Sequence, residues 1–107
     1  MAQNFRRYTG NNIGTSASTL FTANSFDTLV GIHITNILTT AINVDVDVND
    51  GSNDIYLVKA SPIPAGGALQ VLGTGKLVVQ SGDALKVQSD TASSVDAWVS
   101  AVDDISS

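Results

Sequence analysis

With 107 residues and a formal net charge of −5, the chain has the size of one domain, long enough to bury roughly two thirds of the surface that it exposes unfolded. It has no cysteine, which excludes a disulfide framework and any thiolate metal site. Its acidic balance opposes binding to a nucleic-acid backbone or an anionic membrane, and eighteen apolar residues never run together, so neither partner is expected.

Every acidic residue is aspartate, and Val, Ile, Thr, Ser, Asn and Gly dominate the remainder, a composition of strand and turn formers. The charge is uneven. Residues 1–26 hold Arg6 and Arg7 and no acid, whereas residues 27–107 hold three lysines and ten aspartates. Behind the two arginines there is no apolar segment of the kind a secretory signal carries, so a soluble chain without a signal of its own is expected.

In chain order, Ala2 to Tyr8 reads as an edge strand or an extended arm, and Thr9 to Ser18 as a polar loop. Residues 1–18 are therefore expected to form an N-terminal arm ahead of a single sandwich domain over 19–107. Thr19 to Ala23 is a short strand, ended by Asn24-Ser25. Asp27 to Asn36 alternates, with Val30, Ile32 and Ile34 on the face expected to point inward. The clearest stretch is Thr39 to Ala60. There Ile42, Val44, Val46 and Val48 fall on every second position, Asp50-Gly51-Ser52-Asn53 supplies turn residues, and Ile55 to Lys59 returns as a second strand, giving a central hairpin.

Ser61 to Gly67, with Pro62 and Pro64, is expected as a crossover, because proline has no amide donor for an internal ladder. Lys59 and the two prolines suit a sheet edge. Ala68 to Leu72 and Lys76 to Gln80 are short strands flanking Gly73-Thr74-Gly75. Ala84 to Ser89 places Leu85 and Val87 inward, Val95 to Val102 is the last strand, and Asp103 to Ser107 a short acidic tail. Seven or eight short strands without helical periodicity predict an all-β protein, an antiparallel β-sandwich of jelly-roll or immunoglobulin-like type.

Motifs for chemistry are weak. Asp45 to Gly51 superficially follows a calcium loop, but Asp50 stands where glycine is needed and Tyr56 where a bidentate glutamate should close the oxygen shell. Strand alternation accounts for Asp45 and Asp47 as a solvated outer face. Gly73 to Lys76 lacks the rest of a phosphate loop. His33, the single histidine, has no cysteine or motif partner and reads as a structural or interface residue. No enzyme, cofactor or metal is expected. Trp98 lies between Asp96 and Ser100, and periodicity alone does not decide between a core position and an outward one at a subunit contact. The expected interface residues are Phe5, Arg6, Arg7, Tyr8, His33 and Trp98.

The stretches Leu29 to Asn36, Val44 to Lys59, Pro62 to Gly67, Val78 to Val87 and Ser94 to Ser100 together resemble small structural proteins of tailed-phage virions, especially from phages of aquatic bacteria. That resemblance implies a β-sandwich subunit of a capsid decoration, neck or tail layer. Such a subunit would associate with copies of itself, for instance as a trimer, and dock on other virion proteins after assembly in the host bacterial cytoplasm. It carries over no active-site residue. A receptor- or carbohydrate-binding module of a tail fibre or baseplate is the alternative, resting on Trp98 beside Asp96 as an aromatic platform with a polar neighbour.

Overall fold

The computed structural model describes residues 4–23, 27–73 and 75–103. The expected turn at Asn24-Ser25, Thr74 and the tail from residue 104 onward lie outside them. Nine strands form: β1 Asn4–Ile13, β2 Ser18–Thr22, β3 Asp27–Asn36, β4 Ile42–Asn49, β5 Asp54–Ile63, β6 Ala68–Gln70, β7 Leu77–Val79, β8 Ala84–Ser89 and β9 Val95–Asp103. One sheet has the order β1-β9-β3-β6, with β7 also on β3, and the other the order β2-β8-β4-β5. All pairings are antiparallel.

The pairings nest. β4 pairs β5 around the Asp50–Asn53 turn, β3 pairs β6 and β7, β2 pairs β8 and β1 pairs β9, so the chain is one long hairpin. Rolling that hairpin brings β9 onto β3 and β8 onto β4. β6 and β7 together take the place of one strand, β7 at the Asp27–Leu29 end of β3 and β6 at its His33–Thr35 end. An eight-strand rolled hairpin in two sheets is the jelly roll. Of the two sandwich types expected, this strand order is the jelly roll, and the β4–β5 hairpin is its tip.

The turn at that tip is built from side chains that replace missing ladder partners. Asp50 Oδ1 accepts from the amides of Ser52 (3.0 Å) and Asn53 (2.8 Å), and Asn49 Oδ1 accepts from Gly51 (2.9 Å). Gly51 takes φ +98°, which a side chain would resist. These amide bonds hold the Asp50 carboxyl below its ordinary range.

Between the sheets the inward residues pack into one core. Leu29, Ile32 and Ile34 of β3, Val44 and Val46 of β4, Leu85 and Val87 of β8, and Val95 and Val99 of β9 are fully buried. β4, β8 and β9 keep the expected alternation. β3 does not: a bulge between Leu29 and Gly31 inserts one residue, so Leu29 faces the core and Val30 faces out. The expected inward position of Val30 is corrected on that ground.

Residues 4–18 belong to the sandwich rather than forming an arm before it. Alone they have too few apolar residues to hold a structure, but β9 offers an open row of backbone groups, and Asn4 to Gly10 pair with Asp103 to Ala97. Inward, Tyr8 stacks on Phe21 at 4.2 Å between ring centroids, and Ile13 is buried. Only residues 14–17 of the expected loop remain outside strands. β5 also runs further than expected, through Pro62 to Ile63. As the edge of its sheet it pairs with β4 alone, so the missing proline donor costs no ladder bond.

One buried polar side chain closes the crossover. Asn36, at the end of β3, donates from Nδ2 to the carbonyls of Thr40 (2.8 Å), Ile63 (3.1 Å) and Pro64 (3.1 Å), and its Oδ1 accepts from the Leu38 amide (2.9 Å). It has no exposed surface. The β3–β4 connection and the end of β5 are thereby tied to one point.

Candidate functional site

The outer face of the β1-β9-β3-β6/β7 sheet gathers most of the expected interface residues. Residues of the same parity line up across the strands: Thr9, Trp98, His33 and Gln70 form one row, and Phe5, Val102, Thr28 and Val78 another. Arg7 and Gly31 lie between the rows, both opposite Ser100. Trp98 is outward and 49% exposed, while its flanking neighbours Ala97 and Val99 are buried, which settles its orientation. Phe5 is 82% exposed, and Val30 and Val78 are exposed as well.

Trp98 is held in place rather than loose. The Arg7 guanidinium lies 5.2 Å from its ring centroid, a cation–π contact worth about 0.5–1 kcal/mol at an exposed site. Gln70 Nε2 is hydrogen-bonded with His33 Nδ1 in the strand pair next to it. Asp96 Oδ1 accepts from the Asn12 amide at 3.1 Å, and Asn12 takes φ +52° in the β1 bulge. Arg7 and Asp96 thus flank the tryptophan on opposite sides along the strands.

Two of the expected residues lie elsewhere. Tyr8 and Arg6 alternate to the other side of β1. Tyr8 is half-buried against Phe21 and belongs to the packing between the sheets, whereas Arg6 is exposed opposite Ala101. Tyr8 thus lies on the side of β1 away from Trp98.

The second sheet's outer face is built differently. Lys86 on β8 approaches Asp54 (3.0 Å) and Asp47 (4.0 Å), and Lys59 on β5 approaches Asp45 (3.4 Å) and lies 4.5 Å from the Tyr56 ring centroid. Asp47 was expected to be solvated, yet it is only 4% exposed. On an outer face a side chain is solvated only if its cross-strand neighbours leave it open, and here Tyr56 and Lys86 stand directly opposite on either side. Its Oδ2 has no hydrogen-bond partner. Burial foremost, then the Asp54 charge, pushes its carboxyl above the ordinary 3.8, against the pull of Lys86. Asp54 moves the other way, lowered by Asn49 and Lys86.

An open polar hollow of about 270 Å³ lies beside this face, lined by Asn43, Asp45, Lys59, Gln88 and Asp90 among others. Its carboxylates are already engaged: Asp45 Oδ1 accepts from the Ala60 amide (2.7 Å) and Asp90 Oδ1 from the Asn43 amide (3.2 Å). Among the described residues no three histidine, aspartate or glutamate side chains converge as a metal site.

The fold and its faces define a two-sheet jelly roll with one aromatic outer face and one ion-paired outer face. No family model and no curated protein matches the chain. A solved structure described as "Bacillus endospore appendages form a novel family of disulfide-linked pili" is similar at a TM-score of 0.55 and 10% identity, covering 94% of this chain and 84% of that one. At that identity the likeness establishes a shared β fold.

Proposed function

We propose that the chain is a non-enzymatic structural subunit of a tailed-phage virion, which associates with copies of itself and docks on the capsid shell, as a decoration or cement protein, or on the neck or tail. The observation that carries the reading is the outer face around Trp98. A small domain exposes on one sheet face a tryptophan, which Arg7 holds, with a phenylalanine and two valines, beside Thr9, His33, Gln70 and Asp96. Large apolar groups with a polar rim are what subunit contacts present, and tryptophan and arginine are the residues that most often anchor them.

The similar Bacillus protein is described as forming pili, which supports the jelly roll as a fold able to serve in polymers. Those pili are disulfide-linked. This chain has no cysteine, so disulfide links of that kind are excluded for these 107 residues. The test is immunogold labelling of purified phage particles from cultures that carry the gene. Regular label on capsid, neck or tail is expected, and protein found only outside particles refutes the reading.

A glycan- or receptor-binding module is the second reading, favoured by the exposure of Trp98 beside Asp96. Arg7 over the ring occupies one of its two stacking faces, which leaves half of the platform that a sugar would use. Glycan binding that vanishes in Trp98→Ala, with assembly unchanged, would replace the first reading by this one.

A further inference from the structure

We infer that the surface meeting another subunit is the outer face of the β1-β9-β3-β6/β7 sheet, and that its occupant is the same face of a second copy of this chain, packed around Trp98 with Arg7 of each copy on Asp96 of the other. The inference rests on the reading of the protein as a self-associating structural subunit.

Three observations lead to it. First, the two outer faces differ in how well each could meet itself. The β2-β8-β4-β5 face carries Asp45, Asp47 and Asp54 against Lys59 and Lys86, all engaged with one another, so two copies of it would bring an excess of carboxylates together. On the other face the central ions are one arginine and one aspartate, set on opposite sides of Trp98. A two-fold axis running across the strands near Trp98 turns the Arg7 side of one copy over the Asp96 side of the other. Each charge then meets its opposite, and the tryptophans lie together at the centre. A two-fold contact uses one patch twice, so only a self-complementary patch can make it.

Second, the size fits. Four strand positions at ~4.8 Å spacing and nine or ten residues at ~3.3 Å give a face of about 19 by 30 Å in projection, on the order of the ~800 Å² per partner of a standard interface. Third, the face is already ordered. Arg7 on the Trp98 ring, Gln70 on His33 and Asp96 on the Asn12 amide fix the side chains before contact, which lowers the entropy that association must overcome.

Sedimentation equilibrium of the full chain from micromolar to millimolar concentration tests the inference, with circular dichroism to verify the fold of each variant. The wild type should reach the dimer mass or a multiple of it. Trp98→Ala and Arg7→Asp should each raise the dissociation constant by at least about tenfold, and Arg7→Asp combined with Asp96→Arg should recover most of the loss, because the reversed pair restores both contacts. A wild type that stays monomeric overturns the inference, as does association indifferent to Trp98→Ala and Arg7→Asp. A monomer that is nevertheless labelled on particles refutes this contact alone. Absence from particles refutes the structural reading instead.

Discussion

Replacing Asn36 by alanine is the sharpest perturbation of the fold. The side chain sits fully buried where β3 ends, and its amide group supplies two hydrogens shared among the carbonyls of Thr40, Ile63 and Pro64, while its oxygen takes the Leu38 amide. Two donated bonds and one accepted bond at about 1 kcal/mol each predict a loss of about 3 kcal/mol, a hundredfold change in the folding equilibrium. For a domain of this size that lowers the melting temperature by roughly 10–20 °C. Urea unfolding followed by far-ultraviolet circular dichroism measures it. Asn36→Asp should cost at least as much at neutral pH, since a carboxylate would face three carbonyl oxygens with no proton to give, and should recover part of the loss as the pH falls. A loss under about 1 kcal/mol for Asn36→Ala would mean that the crossover is held by something other than this side chain.

Other substitutions test neighbouring parts of the structure. The β3 bulge predicts that Leu29→Ala costs about 3 kcal/mol and Val30→Ala under about 0.5 by chemical denaturation, and the reverse ranking would remove the bulge. Asp47→Asn should stabilise the protein by about 1 kcal/mol at pH 7, because a buried carboxylate whose Oδ2 has no hydrogen bond and whose pKa burial raises is replaced by a neutral amide, a gain larger than the loss of the 4.0 Å Lys86 pair. Since the folded state raises the Asp47 pKa above 3.8, wild-type Asp47 takes up its proton at a higher pH when folded than when unfolded. The variant's advantage in denaturation midpoint should therefore shrink toward pH 3.8, and an advantage that grew instead would contradict the raised pKa. Asp50, Asp54 and Asp90 are all lowered, so what they contribute is present above pH 3.8 and is lost as the pH falls below it, in both proteins. Ala60 takes φ +50° in the edge strand, so Ala60→Gly should gain about 0.5 kcal/mol and Ala60→Val lose more than about 1, read from the same curves.

The β4–β5 hairpin was legible because its apolar residues alternate without interruption and a turn rich in Asp, Gly and Asn separates its strands. In β9 the alternation was equally regular, but both parities carry apolar residues, and only the burial of Val95, Ala97, Val99 and Ala101 decides that Trp98 points out. β3 was read out of phase at its start because a bulge leaves no mark in a pattern of similar apolar residues. Leu29 and Val30 satisfy the pattern equally well, and which one turns inward depends on the register with β9. β1 was not legible as ten residues of strand, since its stability comes from the edge of β9 rather than from its own sequence.

The interface residues divide the same way. Phe5 and Arg7 are expected at an interface as part of an N-terminal segment, and His33 and Trp98 from their places on two strands; pairing across β1, β9 and β3 brings them to one face. No local signal tied them together, because their partners lie far apart in the chain. Asp96 follows from strand parity beside Trp98, whereas Val30, Val78 and Gln70 complete the face only through the register. The burial of Asp47 is not legible in the sequence for the same reason, as its covers, Tyr56 and Lys86, come from the strands on either side of it.

Trp98 is the only tryptophan in the chain, so its emission reports on the proposed contact without interference. The direct measurement compares its emission maximum and its quenching by iodide in the intact assembly and in the dissociated subunit. A blue-shifted, protected signal in the assembly is predicted, since the half-exposed ring would be covered there. The same maximum and the same quenching in both states would contradict the assignment of this face as the one where subunits meet.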